Sequence, residues 1–243
     1  MGWKAACIVT GDCDYGYLAT RPAHDPQRAI QLVKALGYFG YSKHQTTDFD
    51  PYPKSGTFAI GAYANAVLVA DQDQVVNCMD NRHAHLFRKM LALYPTGKLL
   101  GFALQSVSNY FAYVYYEKGK LVREYSGASE MGMIFDSGDP QPEEMPYYEN
   151  SEFVDGERVF KTISGTETYQ EKGETMGMLM IHDICKKFFG KPLDQSLDID
   201  GLPALQVELF TKRKLGEVSP LEIGILASGA YSKILDVVKR RTE

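Results

Sequence analysis

A stretch rich in acidic residues follows the first apolar run of the chain, in the sequence GDCDYGYLATRPAHD. It contains Asp12, Cys13, Asp14, His24 and Asp25. Carboxylates and a histidine held together bind a divalent cation or transfer protons, so Asp12, Asp14 and His24 are candidate catalytic residues. The same residues also have structural interpretations, because Asp25 is placed to cap a helix while Asp12 and Asp14 suit a turn.

A second acidic segment, MIFDSGDPQPEE, contains Asp136, Asp139, Glu143 and Glu144. Its spacing matches no calcium-binding loop, which favours a structured acidic turn with prolines. An enzyme would need an acid from this Asp136–Glu144 turn to meet the first cluster in one cleft.

Neither the histidines nor the cysteines form a metal-binding pattern. His83 and His85 lie two residues apart, and on a helix that spacing points them in different directions. Cys185 lies towards the apolar face of its helix, which disfavours it as a nucleophile beside His182. No phosphate-binding loop, nucleophile elbow or dinucleotide fingerprint follows a strand. The sequence therefore predicts no metal site and no cofactor.

The segment NYFAYVYYEKGKLVREY predicts an aromatic β-hairpin. A two-residue turn at Lys118 and Gly119 would pair Glu117 with Lys120, Tyr115 with Val122 and Tyr113 with Glu124. This register leaves Arg123 and Tyr125 on the face opposite Tyr113. Two interpretations stay open: either the hairpin is covered on both sides, or Phe111, Tyr113 and Tyr115 form an exposed patch that binds a partner or a second subunit.

The hairpin is also close to an RNA-recognition pattern, which it matches from Phe111 to Tyr116. Asn109 replaces the basic residue of that pattern and Tyr110 replaces its glycine. The 243-residue chain carries a net charge of −5, so no overall field attracts phosphate. These observations disfavour nucleic acid as a partner.

The order of predicted elements indicates an α+β fold with a mostly antiparallel sheet and helices on one face. The first six elements read β-α-β-β-α-β, which is the ferredoxin-like order, followed by the hairpin and C-terminal helices. We expect a single domain over residues 1–243, with a sheet-and-helix core (1–135), a surface excursion (136–173) and a helical C-terminal addition (174–243). Tyr147 and Tyr148 of the excursion are further candidate binding residues.

The compartment predicted from the sequence is the cytoplasm. The N-terminal apolar run is too short for a secretory signal, and no stretch approaches the length of a membrane span. The four cysteines include no CxxC pair and read as free thiols in a reducing environment.

The hairpin and the Pro-rich turn after it carry a family resemblance. The shared positions are Ser106, Val107, Phe111, Ala112, the run from Gly119 to Arg123, Gly132, Ile134, Gly138, Pro140, Pro142 and Glu143. On these residues the chain resembles a bacterial, largely actinobacterial family of uncharacterised proteins with a domain of unknown function. Gln105 and Tyr110 depart from the family pattern. The resemblance spans roughly residues 1–190 and implies one domain, but no established activity.

Two hypotheses about function follow. The first is a non-catalytic binding or protein-interaction module, with a homo-oligomer as the expected assembly and a small-molecule ligand as an alternative partner. Its candidate binding residues are Phe111, Tyr113, Tyr115, Tyr147 and Tyr148. The alternative is a metal-assisted or acid–base enzyme that uses Asp12, Asp14, His24 and the Asp136–Glu144 turn.

Overall fold

The first apolar run forms the central strand of the fold, β1 (Lys4–Gly11). In the computed structural model, which describes residues 4–81, 84–164, 167–193 and 201–212, β1 lies between β4 (Ala66–Ala70) and β5 (Lys98–Gln105). Both pairings are antiparallel. Nearly every residue of β1 is buried, because both faces of the strand pack against other elements.

β1 belongs to a nine-stranded sheet in the order β2-β12-β3-β4-β1-β5-β6-β7-β8. The remaining strands are β2 (Tyr41–Asp48), β3 (Thr57–Tyr63), β6 (Tyr110–Glu117), β7 (Lys120–Ala128), β8 (Gly132–Gly138) and β12 (Gln206–Lys212). The pairings among these described strands are antiparallel, which confirms the α+β class. The ferredoxin-like order is not confirmed for the sheet as a whole, because β2 and β12 extend it beyond β3, and β6, β7 and β8 extend it beyond β5.

Helices cover both faces of the sheet, so the prediction of helices on one face is wrong. On one face lie α1 (Pro26–Leu36), α2 (Gln72–Asp80) and α3 (His85–Leu93). The other face carries the 3-10 helix (Tyr15–Thr20) and α5 (Gly173–Phe189). Because the central strands bury apolar side chains on both faces of the sheet, other elements must cover each face. The sequence assigned α5 to a C-terminal addition, which left the second face without a helix.

Capping residues set both ends of α1, and Asp25 is the cap that the sequence predicted. Asp25 accepts a hydrogen bond from the backbone N–H of Arg28 at 3.0 Å, and Gly37 ends the helix with φ 92°. Ala29, Leu32 and Leu36 form its buried face, whereas Ile30 is 37% exposed.

The C-terminal part of the chain is not purely helical. Strand β12 inserts between β2 and β3, which are consecutive in the sequence. Its backbone pairs with both of them, and its Val207 and Phe210 are buried. The last part of the predicted helical C-terminal addition, residues 213–243, lies outside the described residues.

The surface excursion contains ordered elements that the sequence did not predict. A short helix, α4 (Met145–Glu149), precedes a three-stranded antiparallel sheet in the order β11-β10-β9. Its strands are β9 (Ser151–Val154), β10 (Glu157–Ser164) and β11 (Glu167–Lys172). Phe160 of β10 is buried in the cluster that α5 covers, which anchors this small sheet.

Candidate functional site

An open polar groove lies where the end of β1 meets the start of β5 and the β6–β7 turn. Three segments line it: Gly11–Asp14, Thr96–Lys98, and Glu117 with Lys118. Its volume is about 330 Å³, within the range of small-molecule sites. We call this feature the polar groove. Its lining residues are distant in sequence and meet because β1, β5 and β6 are neighbours in the sheet.

Two glycines fix the base of the polar groove. A Cβ atom on Gly97 would lie 2.3 Å from the carbonyl oxygen of Gly11. Only glycine at position 97 therefore allows the two backbone segments to approach this closely. Backbone hydrogen bonds hold the flanking segments: the Lys118 N–H donates to Gly97 at 2.8 Å, and the Asp12 N–H donates to Asn65 at 3.0 Å. The base is therefore built from closely packed backbone.

Charged side chains without ion-pair partners surround the groove. Asp12 and Asp14 are exposed, and neither carboxylate forms a hydrogen bond or an ion pair with any described residue. Glu117 and Lys118 likewise lack ion pairs within the described part of the chain. These charges are compensated only by solvent and by one another across the opening.

Tyr15 separates the polar groove from the apolar interior. The Nζ atoms of Lys98 and Lys187 lie 4.1 and 3.9 Å from the centre of its ring. Its hydroxyl donates to the hydroxyl of Tyr115, and its ring meets Phe188 edge-on with centroids 5.2 Å apart. Two small depressions of about 10 Å³ each flank the ring. Cation–π contacts and packing thus hold Tyr15 in place.

Cys13 contributes a half-buried thiol to the same groove. Burial raises the pKa of Cys13, and the carboxylates of Asp14 and Asp12 act in the same direction, while Lys98 lowers it. The thiol is therefore protonated at neutral pH, which makes it a poor nucleophile.

His24 does not line the polar groove. Its Nδ1 lies 3.1 Å from the carbonyl oxygen of Ala62, and its Nε2 lies 3.7 Å from Glu208 of β12. Burial lowers the pKa of His24, although its contacts with Ala62 and Glu208 act in the opposite direction. Of the three candidate catalytic residues, the groove brings together Asp12 and Asp14 and leaves His24 apart.

The acidic turn is divided between two roles. Glu143 forms an ion pair with Lys187 at 2.8 Å, which places it beside Tyr15. Glu144 and Asp136 instead bind Arg123, at 2.9 and 2.6 Å from its terminal nitrogens. Only Glu143 therefore reaches the neighbourhood of the groove.

Arg123 is a fully buried cation with every donor group used. Its Nε donates to Glu144 at 3.1 Å, and its Nη2 donates to the Tyr148 hydroxyl at 2.8 Å. Nη1 also donates to the carbonyl oxygens of Ser137 and Gly138, both at 3.2 Å. Burial disfavours the charge of Arg123, but the hydrogen bonds and charge of Glu144 outweigh this and raise its pKa. This saturated network is structural.

Of the two interpretations of the hairpin, the structure does not support an exposed aromatic patch. Phe111, Tyr113 and Tyr115 are 0%, 1% and 3% exposed, because the 3-10 helix and α5 cover this face of the hairpin. Phe111 packs where α5 has Gly177, on which a Cβ would lie 2.3 Å from the ring. The interpretation of a hairpin covered on both sides is the one that the structure supports.

Tyr147 and Tyr148 are half-buried, and their hydroxyls bind within the protein. Tyr147 donates to Asp183 at 2.5 Å, and Tyr148 contacts Arg123 and Asp136. Burial raises the pKa of Tyr148 to about 12. None of the five predicted binding residues thus presents an unoccupied polar group on an exposed surface.

A register shift explains why sequence reasoning missed Arg123. Glu117 pairs with Lys120 as predicted, but a bulge beyond Tyr116 then pairs Tyr115 with Arg123 and Tyr113 with Tyr125. Because side chains alternate along a strand, this one-residue shift moves Arg123 to the face of Tyr113. No local signal in the sequence marks the bulge.

Lys98, Lys118 and Tyr15 were also missed as site residues. Lys98 and Lys118 lie outside the acidic motif, and only the strand order places them beside it. Tyr15 lies within the motif, but an uncharged side chain between acidic residues gives no signal of a site. Among the described residues, no group of three or more His, Cys, Asp or Glu side chains is arranged to hold a metal ion, while His83 lies outside them. Within the same residues, no helix combines the length and apolarity that crossing a membrane requires.

Comparison with known proteins identifies a family without an assigned activity. The model of DUF6928, a family of unknown function, matches residues 5–159, which is more than half of the chain. The match ends before α5, so it covers the polar groove and the Arg123 network but not the helix that packs on β6 and β7. No curated protein and no solved structure matches.

Proposed function

The chain belongs to DUF6928, a family of unknown function, and we propose that it is a non-catalytic protein that binds a small molecule in the polar groove. The proposal keeps the expected class of function and moves its location from the aromatic hairpin, which is buried, to the groove beside Tyr15.

One observation carries this proposal: the polar groove concentrates charged groups that the protein leaves without partners. Some lysines and acids elsewhere on the described surface form ion pairs, such as Lys161 with Glu152 and Lys172 with Glu157. In the groove, Asp12, Asp14 and Glu117 surround about 330 Å³ of open space over a base of packed backbone. A concave site with a firm base and a few polar groups is typical of ligand binding.

The enzyme hypothesis has less support. Acid–base catalysis needs groups of different proton affinity in one cleft, yet His24 lies between β3 and β12 and the Cys13 thiol is protonated. Asp136 and Glu144 of the acidic turn are bound to Arg123. Asp12 and Asp14 remain as two solvent-exposed carboxylates, which suits electrostatic recognition better than proton transfer.

A second copy of the chain is the protein partner that we propose. Strand β8 is an edge of the large sheet, and on or next to it Met131 is 70% exposed and Phe135 48% exposed. Light scattering after size exclusion should give twice the 27.2 kDa chain mass, and Phe135→Ser should reduce it. A monomer at all concentrations would exclude this partner.

We propose the cytoplasm as the compartment for both ligand binding and self-association, in keeping with four cysteines that are free thiols.

The binding proposal can be tested with a ligand-observed NMR screen of polar metabolites on the full chain. Thr96→Trp fills the groove, and Thr168→Trp places the same side chain on exposed strand β11 as a matched control. We expect metabolites whose binding is lost in Thr96→Trp and kept in Thr168→Trp. If every metabolite that binds the unmodified chain also binds both variants, the groove is not the binding site.

A further inference from the structure

The charges of the polar groove are arranged in order across the sheet. Asp12 and Asp14 follow β1, and Lys98 begins β5. Glu117 ends β6, and Lys118 begins the β6–β7 turn. Neighbouring strands lie about 4.8 Å apart, so the β1 wall and the β6–β7 wall are separated by about 10 Å. The first wall is negative, the centre is positive and the second wall carries both signs.

The position of Lys98 fixes the positive centre of the groove. Its ammonium lies 4.1 Å from the centre of the Tyr15 ring, and the Lys187 ammonium lies 3.9 Å from the same point. Lys187 is neutralised by Glu143 at 2.8 Å, whereas Lys98 has no ion pair with a described residue. An anionic group that enters the groove therefore meets the charge of Lys98, and beyond it that of Lys118.

From this order of charges we infer that the ligand is a small zwitterion with an amine at one end and a carboxylate at the other. This inference rests on the proposed function. The amine lies against Asp12 and Asp14, and the carboxylate lies between Lys98 and Lys118.

Ligands with a single sign of charge fit the same groove less well. A dicarboxylate gains two lysines but faces three carboxylates, and a diamine gains the carboxylates but faces the two lysines. Like charges that are brought together across a groove repel one another, and this opposes binding. A zwitterion in the stated orientation places its amine beside two carboxylates and its carboxylate beside two lysines, and among these lining charges only Glu117 opposes it.

Three linear compounds of similar length test the charge order: ε-aminocaproate, hexamethylenediamine and adipate. Isothermal titration of each against the full chain at low salt should give the tightest binding for ε-aminocaproate. We expect the other two to bind about tenfold more weakly or worse, because each loses one charge-assisted contact. In the Asp12→Asn/Asp14→Asn variant, binding of ε-aminocaproate should weaken by a similar factor, as it should in Lys118→Gln.

Matched controls separate the groove from general charge effects. Asp139→Asn and Lys54→Gln remove the same charges from exposed positions that do not line the groove, and both should bind as the unmodified chain does. If adipate or the diamine binds more tightly, and Thr96→Trp abolishes that binding, the groove is a ligand site and the zwitterion inference is wrong. If none of the three compounds binds at millimolar concentration, the inference is also wrong, and the metabolite screen decides the proposed function.

Discussion

The guanidinium of Arg123 and the carboxylate of Glu144 form an ion pair in which both side chains are completely buried. Nη2 and Nε of Arg123 lie 2.9 and 3.1 Å from Oε1 of Glu144, whose other oxygen accepts the backbone N–H of Gln141 at 2.7 Å. This contact joins strand β7 to the Pro-rich turn. Two parts of the chain that carry the family resemblance are therefore one structural unit, separate from the polar groove.

Removing Glu144 should strongly destabilise the fold. Glu144→Leu leaves the buried Arg123 with only the half-exposed Asp136 as its counter-ion, and we expect a loss of about 3–5 kcal/mol in the free energy of unfolding. The measurement is urea denaturation followed by circular dichroism.

The Arg123→Met/Glu144→Leu double variant is the control for this mechanism. Because it removes the buried cation together with its partner, it should be less destabilised than Glu144→Leu alone. If the loss in the free energy of unfolding in the double variant equals the sum of the losses in the two single variants, packing and not the uncompensated charge causes the loss.

The hairpin shows where sequence reasoning succeeds and where it ends. Alternating aromatic residues and the Lys118–Gly119 turn predicted both strands and the Glu117–Lys120 pair, because these depend on local preferences. The bulge beyond Tyr116 depends on what covers the strand, and in this fold that is α5, which follows more than fifty residues later in the sequence. Burial of Tyr113 and Tyr115 was therefore not predictable from the hairpin itself.

A methyl group at Gly97 should disrupt the base of the polar groove. In Gly97→Ala the new Cβ would lie 2.3 Å from the Gly11 carbonyl oxygen. Strand pairing holds Gly11, and backbone hydrogen bonds with Tyr94 and Lys118 hold Gly97, so the backbone must shift. We expect a loss of about 1–3 kcal/mol in the free energy of unfolding, measured by urea denaturation. Gly16→Ala is the matched control, because nothing lies within 4 Å of its added Cβ. Equal stabilities of the two variants would contradict the close packing.

The groove itself was half predicted. Asp12 and Asp14 were identified because acidic residues after a strand are a local pattern, and the structure places both in the groove. Lys98 and Lys118 were not, because a lysine at the start of a strand or in a turn is ordinary by itself. These residues meet in one groove only because β1, β5 and β6 are neighbours in the sheet. The order of strands depends on contacts between distant parts of the sequence, so no local pattern reveals it.

His24 should make the fold less stable in mild acid. Its pKa is lowered in the folded protein, so the unfolded chain binds the proton more tightly. The free energy of unfolding should therefore fall as the pH drops below the unfolded value of about 6.5, and the loss should continue until the lower folded pKa is passed. Urea denaturation between neutral pH and mild acid measures this slope. In His24→Gln the slope should be shallower, and an unchanged slope would assign it to other groups.

Cys13 should be the thiol that reports on the electrostatics of the polar groove. Cys7, Cys78 and Cys185 are buried, so alkylation of the native protein by iodoacetamide should occur first at Cys13. Its raised pKa predicts a slower reaction at neutral pH than that of a free cysteine. Asp12→Asn/Asp14→Asn should accelerate alkylation, because two nearby negative charges are removed, and Lys98→Met should slow it. Asp139→Asn, outside the groove, should leave the rate unchanged. Rates that respond to neither change would mean that burial alone sets the reactivity of Cys13 and that the groove charges do not reach its sulfur.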